Sequence, residues 1–106
     1  MPNLWFVQAD GSRQCVPAVA GRSVMEAARD HGVAGIRAEC GGECSCSTCH
    51  CYVDESWQAN LPAPSAAEAG LVEFAWEPRP NSRLTCQVVV TADLDGMVLH
   101  VPAEQI

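Results

Sequence analysis

The sequence predicts one small α+β domain, about four or five strands with helices packed across a mixed sheet. Three observations carry that prediction. Short β-rich runs near both ends of the chain are broken by Gly-containing turns. Two Ser-x-x-Glu capping boxes, at Ser23/Glu26 and Ser65/Glu68, each open a stretch of helical apolar spacing. The length of 106 residues is that of a single domain, 1–106, with no repeat, linker or low-complexity segment inside it.

Leu4 to Ala9 and Arg13 to Val19 read as two extended runs. Asp10-Gly11-Ser12 between them is a hairpin signal, because Gly supplies a positive φ without steric cost. After Ser23, the residues Val24, Ala27, Ala28 and His31 fall on one helical face, and Gly32 is placed to stop that helix. From Gly35 to Cys51 there is no period, only Gly, Cys, Ser and Thr among a few others. Order in such a loop must come from something other than an apolar core. Cys51-Tyr52-Val53 resumes as a strand. The helix opened by Ser65 is expected to run to about Phe74 or Trp76, where Glu77-Pro78-Arg79-Pro80 ends it. Leu84 to Thr91 reads as a buried β-branched strand, Leu94-Asp95-Gly96 as a turn, and Met97 to Val101 as a last strand.

Thirteen acidic residues stand against 6 basic ones, all Arg, for a net charge of −7. That balance argues against nucleic acid, whose phosphates need clustered cations, and favours a basic protein partner or plain solubility. No stretch approaches the roughly 20 apolar residues of a membrane helix, and the N-terminus lacks a basic start and an apolar h-region. The expectation is a cytoplasmic monomer that binds neither nucleic acid nor membrane. In a reducing compartment, seven clustered thiols are better read as metal ligands than as disulfides.

Cys40, Cys46 and Cys49 lie in one loop, and Cys86 is a distant fourth. Three thiolates from one loop plus one from elsewhere is how a chain wraps an iron–sulfur cluster, with two thiolates on each iron of a [2Fe–2S] group. Gly41 and Gly42 follow the first ligand, where backbone must approach sulfur closely. Backbone N–H groups between Gly41 and Thr48 can then point at the sulfurs and offset their charge. Cys86 is expected where a strand begins, facing back to the loop. The alternative is a zinc-stabilised interaction module, with Cys44 or Cys51 contributing. Structural zinc sites usually show two separated Cys-x2-Cys knuckles, and this chain has one such pair, Cys46 and Cys49. A redox dithiol or a nucleophilic enzyme lacks its surrounding constellation.

Cys40-Gly41-Gly42, Cys46, Cys49-His50, then Asn81-Ser82-Arg83-Leu84-Thr85-Cys86-Gln87, Leu94-Asp95-Gly96 and Val101-Pro102 with Gln105 together resemble the adrenodoxin/putidaredoxin-type [2Fe–2S] ferredoxins. The five-residue gap between Cys40 and Cys46 is that branch's spacing; plant-type ferredoxins use four. The resemblance covers essentially the whole chain. It implies a ferredoxin-type β-grasp with a cluster-binding loop, and Cys40, Cys46, Cys49 and Cys86 as ligands of a [2Fe–2S] cluster. It further implies an electron-transfer protein, not an enzyme. Such a carrier takes one electron from an FAD-containing NAD(P)H ferredoxin reductase and delivers it to a cytochrome P-450 monooxygenase. Rieske-type oxygenases and iron–sulfur cluster assembly are the alternative acceptors.

The resemblance also makes Glu68, Glu73 and Glu77, along the second capped helix and its end, candidates for docking Arg and Lys of partners. Glu39, before the first ligand, is another. A solvated face is the plain reading of the same acids. Of the remaining thiols, Cys15 is expected to be a small buried hydrophobe and Cys44 a bystander. His50 is expected to hydrogen-bond near the cluster without ligating it, and His31 and His100 to be structural or solvent-facing. Arg83 is expected to pair with an acid, and Trp57 and Trp76 to pack the long connection onto the sheet.

Overall fold

The computed structural model describes residues 2–33, 50–75 and 77–103. Five strands lie in these segments: β1 (Asn3–Val7), β2 (Arg13–Pro17), β3 (His50–Val53), β4 (Ser82–Leu84) and β5 (Val98–His100). The helices among them are α1 (Val24–Asp30), the short α2 (Glu55–Gln58) and α3 (Ala66–Val72), with 3-10 turns at Thr85–Gln87 and Ala92–Leu94. The sheet order is β2-β1-β5-β3-β4. β1 runs parallel to β5 and every other neighbouring pair is antiparallel, so the sheet is mixed as the sequence predicts.

The hairpin forms where expected, with Gly11 at φ 90° and Asp10 Oδ1 accepting from the Ser12 N–H at 2.9 Å. Period-2 alternation then sorts the side chains. Leu4 and Phe6 point into the core and are fully buried, while Trp5 faces outward. The main core joins them to Val16, Val53, Leu94, Met97 and Leu99, and α1 covers it with Val24, Ala27 and Ala28. α1 begins with the full capping box: Ser23 Oγ accepts from Glu26 N–H, and the Glu26 carboxylate accepts from Ser23 N–H. Gly32, at φ 66°, ends it.

A second, smaller core sits where α1, α3 and β4 meet. Met25, Leu84 and Cys86 are buried there, with Leu71 and Val72 packed against them. This is the part of the fold that carries the distant cysteine.

Four expectations are corrected. The run Leu84 to Thr91 is not one strand. β4 ends at Leu84, the chain makes a 3-10 turn, and Val88–Val90 then pairs with the approach to α1 through Val24 N–H to Val88 O (2.8 Å) and Val90 N–H to Arg22 O (2.8 Å). The β-branched run is extended and alternates buried, exposed, buried, so its composition fits a strand while its backbone partners lie outside the sheet. Cys86 accordingly sits in the turn after a strand, not at a strand's start.

Cys15 is exposed, because it shares the outward parity of Arg13 and Pro17 on the edge strand β2. α3 stops at Val72, short of Phe74. α2, which the sequence reading left as connection, is set by Asp54, whose carboxylate accepts from Ser56 N–H (3.3 Å) and Ser56 Oγ (2.6 Å). Trp57 on α2 packs against the main core as expected, and Trp76 lies outside the described residues. Among the described residues, no helix is long and apolar enough to cross a membrane.

Candidate metal centre

Cys86 is the predicted ligand that the described residues include; Cys40, Cys46 and Cys49, with Glu39 and Cys44, lie outside them. The placement of Cys86 starts from α3. Glu68, on the first turn of that helix, is 1% exposed, and its carboxylate receives Arg83 Nε at 2.7 Å and Arg83 Nη2 at 3.1 Å. The same carboxylate accepts the Leu84 N–H at 2.9 Å, two residues before Cys86. Arg83 Nη1 donates to the Pro62 carbonyl at 2.9 Å. A buried charge is tolerable only with its partner and hydrogen bonds in place, and here both ions have them.

This corrects Glu68 as a docking residue, since its carboxylate is enclosed and already committed. It also explains why the second capping box is half-formed. Ser65 Oγ accepts from Glu68 N–H at 3.1 Å, but the Glu68 side chain is drawn to Arg83 instead of back to Ser65. Arg83 pairs with an acid, as expected.

The sheet supplies the second constraint. His50 follows Cys49 in the chain and pairs with Leu84, so the strand leaving the three-thiol segment runs beside the strand leading to Cys86. At the other end of that segment Val33 is buried, its N–H bound to Ala28 O at 2.9 Å at the end of α1. Met25 of α1 is in the cluster that holds Cys86. The residues on either side of the segment 34–49 are therefore anchored on the elements that surround the fourth thiol.

The donor chemistry around Cys86 fits an anionic iron–sulfur group. Its thiol is buried to 9% exposure among apolar side chains, and Gln87 Nε2 lies 3.6 Å from Sγ, an N–H donor aimed at sulfur. Cys51 differs in kind. It is fully buried in the main core, and burial raises its pKa, which disfavours the thiolate a metal requires. Cys51 thus sits in the main core, apart from the smaller core that holds Cys86. Among the described residues, no group of His, Cys, Asp or Glu gathers to hold a metal elsewhere.

His50 is fully buried, with Nε2 2.8 Å from Ser82 Oγ, which itself accepts from Arg79 N–H at 2.8 Å. Burial first, and then the charge of Arg79, push its pKa down to about 4, so the ring is neutral at pH 7. It meets the Tyr52 ring edge-on at 4.7 Å, and Arg79 lies over the other ring at 4.3 Å. His100 Nε2 is 3.0 Å from Asp54 Oδ1 and the His31 ring is exposed, in keeping with structural or solvent-facing roles. Glu73 and Glu77 are exposed and flank Phe74, which is 75% exposed. Glu77 has φ 45°, a left-handed turn residue whose carbonyl accepts the Tyr52 hydroxyl at 2.8 Å. The exposure of Phe74 escaped the sequence reading, which took it as a helix end.

A family model described as a 2Fe-2S iron-sulfur cluster binding domain matches residues 7–91. The chain belongs to the [2Fe–2S] ferredoxins. The ferredoxin is 41% identical over 107 residues to rhodocoxin of Rhodococcus erythropolis, covering 100% of both chains. It is similar to the crystal structure of a ferredoxin from Rhodopseudomonas palustris HaA2 with a TM-score of 0.95 and 45% identity, covering 99% of this chain and 100% of that one. It also resembles putidaredoxin in the crystal structure of its covalent complex with putidaredoxin reductase, with a TM-score of 0.89 and 42% identity, over 94% and 97% of the two chains. These likenesses place the ferredoxin in the adrenodoxin/putidaredoxin branch, as its cysteine spacing predicts. Its cofactor is a [2Fe–2S] cluster, and it is a one-electron carrier, not an enzyme.

Proposed function

We propose that Cys40, Cys46, Cys49 and Cys86 hold the [2Fe–2S] cluster. The ferredoxin takes single electrons from an FAD-containing NAD(P)H ferredoxin reductase and passes them to a cytochrome P-450 monooxygenase. The observation that carries the electron route is the likeness, over nearly the whole chain, to putidaredoxin in complex with its reductase. For the ligand set, support comes from the buried, donor-flanked thiol of Cys86 and from the place of Cys51 in the main core, apart from it.

When bound, the cluster supplies one reversible electron. The chain does the rest. Glu68, Arg83 and Leu84 fix the turn that presents Cys86, so this ligand is held in place by contacts that do not involve the cluster. Apolar side chains from α1 and α3 shield that sulfur from water on the protein side. Exposed Glu73 and Glu77, near the exposed Phe74 in the chain, offer a partner negative charge and an apolar side chain. The net charge of −7 accelerates encounter with a basic surface in a salt-dependent way. Glu39, beside the first ligand, joins that docking set; Glu68 does not.

The test is anaerobic stopped-flow mixing of reduced ferredoxin with candidate oxygenases. Electron arrival at a P-450 is read as its reduced carbon-monoxide complex. Transfer to a Rieske oxygenase or to the cluster-assembly machinery, with none to a P-450, would replace the proposed acceptor.

A further inference from the structure

We propose that the side-chain amide of Gln87 sets the reduction potential of this ferredoxin, by donating to the sulfur of Cys86 and so favouring the reduced carrier. The proposal rests on Cys86 being a cluster ligand. Gln87 Nε2 lies 3.6 Å from Cys86 Sγ and 3.4 Å from the carbonyl oxygen of the same residue. A ligating thiolate and a carbonyl are both acceptors only, so the amide must turn its nitrogen toward them and its oxygen away. Both contacts come from the one nitrogen, which carries two N–H donors.

The turn that carries this amide is held on both sides. Ahead of it the Leu84 N–H is bound by Glu68, and after it the Val88 carbonyl accepts from Val24 N–H at 2.8 Å. Gln87 itself is half-buried, and the sulfur it addresses is buried. A fixed dipole near a buried acceptor is screened little by solvent, so it responds fully to a change in the acceptor's charge. Reduction adds negative charge that is shared by the ligand sulfurs. An N–H aimed at one of them therefore interacts more strongly with the reduced form, and hydrogen bonds to sulfur are among the terms that set such potentials. Thirteen acidic residues push the other way, and the Gln87 amide offsets part of that field at the ligand itself.

The experiment is spectroelectrochemical titration of the holoprotein and of Gln87→Met, which keeps the length of the side chain and removes the donor. Gln87→Asn, which keeps the amide but is one methylene too short to reach, is measured beside it. Iron and sulfide content are checked before each titration. Both variants should hold a full cluster and shift the one-electron equilibrium about tenfold toward the oxidised form, which is about 59 mV. Variants within twofold of the native equilibrium would overturn the proposal. Should neither variant load, the native protein labelled with 15N-glutamine decides. Of the five glutamine side-chain amides, one displaced by spin density in the reduced state supports the proposal, and five at ordinary positions overturn it. A Cys86→Ala protein that kept a complete cluster would instead refute the ligand assignment beneath it.

Discussion

Replacing Glu68 with glutamine should loosen the turn that presents Cys86, and the size of the effect follows from the contacts. The glutamate is 1% exposed, the Arg83 side chain 10%, and three N–H groups converge on one carboxylate at 2.7, 2.9 and 3.1 Å. Glutamine keeps one oxygen but turns an NH2 toward a second donor and leaves the guanidinium uncompensated. Removing one partner of a buried ion pair costs about 3–5 kcal/mol. Loss of a bound cluster makes unfolding irreversible, so the quantity to measure is a rate.

If α3 and β4 separate before the cluster is lost, the full cost appears in the unfolding rate, at about tenfold for each 1.4 kcal/mol. Bleaching of the visible spectrum in fixed denaturant should therefore accelerate by about a hundredfold or more in Glu68→Gln. The double substitution Glu68→Met with Arg83→Met removes both charges and should recover most of the loss. Bleaching of Glu68→Gln within twofold of the native rate, or a double variant no better than the single, would show that the buried pair does not hold this turn.

Cys86→Ala should fail to assemble the visible chromophore, as should Cys46→Ala, whereas Cys44→Ala should keep it; absorption spectra after reconstitution check all three. Charge reversal at Glu73, which is exposed, should slow reduction by the cognate reductase severalfold at low ionic strength and converge with the native rate at high salt, as stopped-flow traces across a salt series will show. Cys15 should react with a maleimide in the native holoprotein while Cys51 stays unlabelled until denaturant is added, because one thiol is exposed and the other is enclosed and held in its protonated form. Mass spectrometry of labelled peptides reads both.

What was legible in the sequence is what is encoded locally. The Ser23/Glu26 box closes on itself within one turn, so its letters are its structure. The identical pattern at Ser65/Glu68 misled about Glu68. The residue that captures its carboxylate is Arg83, 15 positions along the chain, and only the packing of α3 on β4 brings them together. Arg83 could be read as seeking an acid, but nothing local names which one.

Cys15 shows the same limit in a strand. Its parity with exposed Trp5, across the β1–β2 register, decides its face, and an edge strand with Val16 as its buried residue gives a weak pattern. The Val88–Val90 run carries strand composition and finds strand-like partners, but those partners precede α1. The spacing of the cysteines, by contrast, is a constraint imposed by the cluster itself, and it selected the ferredoxin branch to which the comparisons assign the chain.

Reductive titration of the purified holoprotein, with iron and sulfide counted and the reduced state quantified by electron paramagnetic resonance, tests the central claim most directly. Two irons and two sulfides per chain are expected, with partial bleaching that reaches its end point at one electron and one unpaired spin per chain. Loss of the cluster from each of the Cys40, Cys46, Cys49 and Cys86 variants would complete it. A colourless protein carrying one zinc, or one that takes up two electrons, would contradict it.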